Sequence, residues 1–113
     1  MTKNSLFAFG DIVLVVFPFT DVKGEKKRPA LVLHEDFNDL TLARVTSQPI
    51  NSEYDINIEM WEKAGLMLPS IIKLEKIATL AKPLIDTKLG MLNEADMAAL
   101  KNKIKEILTE LSK

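Results

Sequence analysis

At 113 residues the chain is the size of one domain, long enough to bury a core without staples. It has no cysteine and one histidine, His34, which excludes a disulfide framework or thiolate metal centre and argues against a zinc site built from several Cys and His ligands. With 15 basic and 16 acidic residues the net charge is -1, so a nucleic-acid surface has to be a local patch. No apolar run approaches the roughly 20 residues of a bilayer span, and residues 1–9 lack the apolar centre of a signal peptide; a soluble cytoplasmic protein is expected.

Residues 1–9 read as a lead-in anchored by Phe7 and Phe9. Two short apolar runs rich in β-branched residues, 12–17 and 30–33, read as strands buried on both faces, with Pro18 and Pro29 at their ends. The exposed loop between them holds Gly24 and a basic knot of Lys23, Lys26, Lys27 and Arg28, with Glu25 the only acid among them. Composition alone makes that knot a solvated turn; a rigid scaffold presenting a basic loop is also a common way to build a site. A polar turn over 34–39 leads to a third strand, 41–45. Its parity puts Leu42, Arg44 and Thr46 on one face and Thr41, Ala43 and Val45 on the other. Thr46, Ser47 and Gln48 then bring three hydrogen-bonding side chains to a strand end, suited to a phosphate, a base edge or a plain turn.

Residues 54–58 alternate as a half-buried strand, and 59–64 read as one helical turn ended by Gly65, with Trp61 covering an end of the core. A strand over 70–80, kinked near Glu75, carries Lys73 and Glu75 on one face. Residues 82–85 turn the chain, and 87–91 add a last short strand. The period then changes: Met97, Leu100, Ile104, Ile107, Leu108 and Leu111 follow helical spacing. Asn93 is the expected N-cap, with Asp96 three residues on and Leu92 stapled onto Met97. This helix reads as packed on a β-barrel, and its polar face, which mixes both charge signs, argues against a membrane-surface role.

Gly10-Asp11-Ile12-Val13, then Phe17-Pro18-Phe19-Thr20-Asp21, then Lys27-Arg28-Pro29-Ala30-Leu31-Val32-Leu33 come in an order and spacing that resemble the MazF/PemK family of toxin endoribonucleases from type II toxin-antitoxin systems. The similarity continues through Lys73-Leu74-Glu75 to Leu89-Gly90 and the terminal helix, so one domain spans 1–113. The resemblance implies a mainly β (α+β) fold, a small SH3-like β-barrel with a C-terminal amphipathic helix, assembled as a homodimer. It implies an endoribonuclease (mRNA interferase) that cuts single-stranded RNA at short sequences, without metal or other cofactor, to a cyclic phosphate and a 5′-hydroxyl. An antitoxin protein is the implied partner, its acidic segment lying near Lys26, Lys27 and Arg28; no membrane is involved.

Residue by residue, the family's arginine before Pro-Ala falls on Arg28 and its threonine after the third strand on Thr46. The basic-x-acidic element proposed to handle protons falls on Lys73 and Glu75, with Glu75 the candidate base and Lys73 a charge stabiliser or acid. A guanidinium suits the charge that builds on nonbridging phosphate oxygens, because it donates two parallel hydrogen bonds and stays protonated. Thr20, Lys26, Lys27, Ser47 and Gln48 are the implied RNA contacts. His34 has no implied role and reads as a surface or structural histidine. The competing classes are a protein-binding toxin of this fold, such as a CcdB-type gyrase poison acting through its C-terminal residues, and a barrel that binds RNA without cutting it.

Overall fold

The computed structural model describes residues 6–21 and 24–113, with the side chains of 6–16 and 26–113. Six strands, β1 (Asp11–Asp21), β2 (Gly24–Glu35), β3 (Asp39–Thr46), β4 (Asp55–Asn57), β5 (Ile71–Ala81) and β6 (Ile85–Met91), precede one helix, α1 (Glu94–Leu111). The sheet order is β4-β5-β3-β2-β1-β6 and every pairing is antiparallel. The chain is therefore mainly β with a C-terminal helix, as expected. The sheet is not closed, however: β4 and β6 are its two edges.

The basic segment expected in a loop is strand. Phe17 pairs with Lys26, Val16 with Lys27 and Val15 with Arg28, so the β1–β2 ladder runs on past both prolines. Pro18 falls where the register breaks between Phe17 and Asp21, and Pro29 precedes the first β2–β3 pair, Ala30 with Arg44. Both places tolerate a missing backbone N–H. The practical consequence is that Arg28 stands on a paired strand.

Nearly continuous apolar runs bury both faces of the sheet. On one face Ile12, Leu31, Ala43, Val45 and Ile72 pack with Leu92 and the fully buried Leu100 of α1, flanked by Met97, Ile104 and Ile107. On the other, Val13, Val15, Ala30, Val32, Leu40, Leu42 and Leu80 form a second cluster. Full burial of a side chain such as Leu100 stabilises by about 1.5–3 kcal/mol. Toward the ends of β2 and β3 this second face turns from apolar to polar, passing from Val32 and Ala30 to Arg28 and from Leu42 to Arg44 and Thr46.

Two local devices fix the connections. Over 59–65 the expected helical turn is a hydrogen-bonded turn with one α-type bond, Ala64 N–H to Met60 O at 3.2 Å. Gly65 ends it with φ +86°, its N–H donating to Glu62 O and that of Leu66 to Trp61 O, a Schellman arrangement. A Cβ on Gly65 would stand 2.1 Å from the Leu89 carbonyl oxygen, so this turn lies directly on β6. At the start of α1 the Asn93 side chain accepts the Asp96 N–H at 2.9 Å, as expected of an N-cap. The Asp96 carboxylate does not reach back to Asn93. It accepts the Glu59 and Met60 amides, each at 3.0 Å, and ties the turn to the helix.

The expected kink in β5 is a large bulge. Ala43 pairs with Ile77 but the next residue, Arg44, pairs with Lys73, so Leu74, Glu75 and Lys76 have no β3 partner in the register. Leu74 N–H turns instead to Tyr54 O at 3.3 Å.

Candidate active site

Arg28 lies two residues along β2 from Ala30, and Ala30 is the cross-strand partner of Arg44. The two arginines are therefore diagonal neighbours on one sheet face, a separation of roughly 7 Å that long side chains span. They form a ridge between two clefts and line both. The first, about 480 Å³, is bounded by Leu42, Glu75, Lys76, Ile77 and Leu80. The second, about 450 Å³, is bounded by Thr46, Ser47, Gln48, Met67, Leu68 and Leu89. Both arginines are exposed, and among the described residues no carboxylate stands within ion-pair distance of either.

The segment after β3 is a turn and at the same time a wall of the second cleft. The Gln48 amide donates to Thr46 Oγ1 at 3.2 Å. With that oxygen already accepting, the Thr46 hydroxyl proton is available to a ligand in the cleft. Ser47 and Gln48 project from the same wall and are exposed.

Glu75 stands in the bulge of β5, exposed, and accepts a hydrogen bond from the Ser52 hydroxyl. Lys73 does not join it. The bulge interrupts the alternation expected to place both on one face, and Lys73 is buried with its ammonium 2.9 Å from Asp55 Oδ1 and 2.8 Å from Asn51 Oδ1. It lines neither cleft. Asp55 also accepts the amides of Asn51 at 2.9 Å and Ser52 at 3.1 Å. Burial by itself would raise the Asp55 carboxyl, but these two amides and the Lys73 ammonium outweigh it and hold the group below its ordinary range. The Lys73–Asp55 pair thus secures the 51–55 loop, and that loop presents Ser52 to Glu75.

Of the other expected contacts, Lys27 reaches across β1 to pair with Asp86 of β6 at 3.5 Å, and Lys26 is exposed on β2 nearer the hairpin tip. The Thr20 side chain lies outside the described residues. His34 is exposed on β2 opposite Thr41 and lines neither cleft. Arg44 was not singled out from the sequence, although the parity of β3 already put it on the Thr46 face. What was missing was the register that sets it beside Arg28.

This arrangement supplies two neighbouring cations and a hydroxyl donor along one ridge, with a carboxylate on the flank. It is suited to a phosphodiester with a group to be deprotonated nearby. Among the described residues no helix is long and apolar enough to cross a membrane.

No curated protein matched the chain by sequence. The fold is shared with solved structures of low identity. An endoribonuclease from a mycobacterial species, solved in complex with its cognate antitoxin, superposes with TM-score 0.72 at 15% identity over 91% of this chain and 95% of that one. The Mycobacterium tuberculosis toxin MazF-mt6 gives 0.70 at 18% identity over 88% and 96%. MazF from Deinococcus radiodurans gives 0.64 at 17% identity over 90% and 94%. The sequence model of the PemK-like, MazF-like toxins matches residues 8–108, nearly the whole domain that carries the ridge and both clefts. The chain belongs to the PemK-like, MazF-like toxin family of type II toxin-antitoxin systems.

Proposed function

We propose that this protein is a toxin endoribonuclease that cuts single-stranded RNA without a metal ion. The observation that carries the reading is the meeting of Arg28 with Thr46 on one cleft and with Glu75 on the other. In this reading Glu75 takes the proton of a ribose 2′-hydroxyl as the oxygen attacks the adjacent phosphorus. The P–O5′ bond breaks, a 2′,3′-cyclic phosphate forms, and the departing 5′-oxygen takes a proton from water. Arg28 and the Thr46 hydroxyl bind the nonbridging oxygens as charge builds there. Lys73 contributes from behind, by holding the loop that carries Ser52. Ser47 and Gln48 contact a neighbouring nucleotide, and cleavage at a preferred short sequence follows from such contacts.

The protein acts as a homodimer and is silenced by an antitoxin whose acidic segment covers the exposed arginines; one structural neighbour was solved in complex with its cognate antitoxin. The test is Arg28→Lys beside Arg28→Ala in a cleavage assay. Charge without the planar fork does not hold two oxygens, so both variants lose activity to a similar degree. Wild-type turnover in the lysine variant would mean that Arg28 only attracts RNA.

A further inference from the structure

Arg44 has no part in the cleavage steps above, yet its placement matches that of Arg28. It lines the same two clefts, stands diagonal to Arg28 on the same face, and has no carboxylate partner among the described residues. Two like charges held side by side without a counter-ion repel each other, and an anion that bridges them removes the repulsion. A backbone phosphate of RNA has that charge, and its oxygens can be shared between two guanidiniums.

The clefts extend the argument from one phosphate to two nucleosides. Their volumes, about 480 and 450 Å³, lie within the range of small-molecule sites, roughly 300–1,000 Å³. Each has an apolar floor beside the arginine ridge, Leu42, Ile77 and Leu80 on one side and Met67, Leu68 and Leu89 on the other. Single-stranded RNA presents splayed bases that bury their faces on such surfaces. We infer that Arg44 is a second phosphate-binding residue, and that the RNA crosses the ridge with one phosphodiester on Arg28 and Arg44 and its two nucleosides in the flanking clefts. This rests on the ribonuclease reading and adds to it the path of the strand.

The experiment measures binding of short, mixed-sequence 2′-O-methyl oligonucleotides, which lack the attacking hydroxyl, to wild type, Arg44→Ala, Arg44→Lys and Arg28→Ala over a series of salt concentrations. Arg44 is exposed, so its variants should fold as the wild type does, and thermal unfolding of each variant checks this. Arg44→Ala should bind roughly tenfold or more weakly, the usual scale of a hydrogen bond to a charged group. Its log-affinity against log-salt slope should be shallower by about 0.7, the loss of one phosphate contact to a single strand. Arg44→Lys should restore the slope and only part of the affinity. A dinucleoside monophosphate should compete better than either nucleoside monophosphate, although it carries less charge. Wild-type affinity and slope in Arg44→Ala, with binding lost in Arg28→Ala, overturns the role of Arg44 and leaves the ribonuclease reading standing. Equal competition by the mononucleotides overturns the two-cleft path. Wild-type protein that neither binds the oligonucleotides nor cuts RNA overturns both readings.

Discussion

Replacing Lys73 by methionine separates a structural role from a catalytic one. The substitution keeps most of the side-chain length and removes only the ammonium, leaving the Asp55 carboxylate, whose side chain is 0% exposed, without its counter-ion. Breaking a buried pair from one side costs about 3–5 kcal/mol. Here the lower end applies, because the amides of Asn51 and Ser52 remain on the carboxylate and the Lys73 side chain is 11% exposed. A loss of about 3 kcal/mol lowers the melting temperature of a domain this size by roughly 10–15 °C. Thermal unfolding followed by circular dichroism measures it, and RNA cleavage is assayed in parallel well below the transition. The folded variant should keep activity to within less than the 10²-fold that a positioned acid or base contributes at minimum. Asp55→Asn in the same background should cost much less than it does alone, since the uncompensated charge is gone. An unchanged melting temperature together with a cleavage loss beyond 10²-fold would refute this reasoning and return Lys73 to the chemistry.

Glu75→Gln should fold with wild-type stability, because the side chain is exposed, and cleave slower by roughly 10²- to 10⁴-fold; near-normal single-turnover rates would move the base elsewhere. Asp96→Ala removes the acceptor of two backbone amides and should cost about 2–4 kcal/mol in denaturant unfolding. A loss under about 0.5 kcal/mol, the scale of an ordinary surface substitution, would mean the turn is held without it. The Asp55 carboxyl is lowered on folding, so its contribution to stability is complete above the unfolded value near 3.8 and is lost as pH falls from there through the folded value. The stability gap between wild type and Asp55→Asn should therefore be constant at neutral pH and narrow only below about pH 4; a gap that closes between pH 6 and 8 would contradict the assignment.

What the sequence revealed was whatever depends on neighbours along the chain. Alternation in β3 put Arg44 and Thr46 on one face, the period change marked α1, Asn93 capped it, and Gly65 ended the turn over 59–65 through its positive φ. What was hidden depends on partners distant in sequence. The face shared by Lys73 and Glu75 assumed an uninterrupted ladder, which the bulge opposite Ala43 and Arg44 breaks. Burial of Lys73 requires Asp55 from another strand, and no periodicity in β5 reports that. Asp96 looked like half of a capping box, but its carboxylate serves the turn at Glu59 and Met60. The basic residues looked like a loop because charge and Gly24 resemble a turn, whereas cross-strand pairing with Val15, Val16 and Phe17 keeps them extended. Closure of the sheet was equally illegible, since it is set by how its edges meet and not by any strand alone.

The most direct measurement incubates the purified protein, in EDTA, with a long single-stranded RNA and determines the chemistry of the new ends, with Arg28→Ala purified identically as the control for contaminating nucleases. Discrete cuts that survive chelation are expected, with a 2′,3′-cyclic phosphate on one side and a 5′-hydroxyl on the other, and none of these products from the Arg28→Ala protein. Intact RNA, the same cuts from both proteins, or cleavage that appears only with added magnesium and leaves a 5′-phosphate would contradict the proposed reaction.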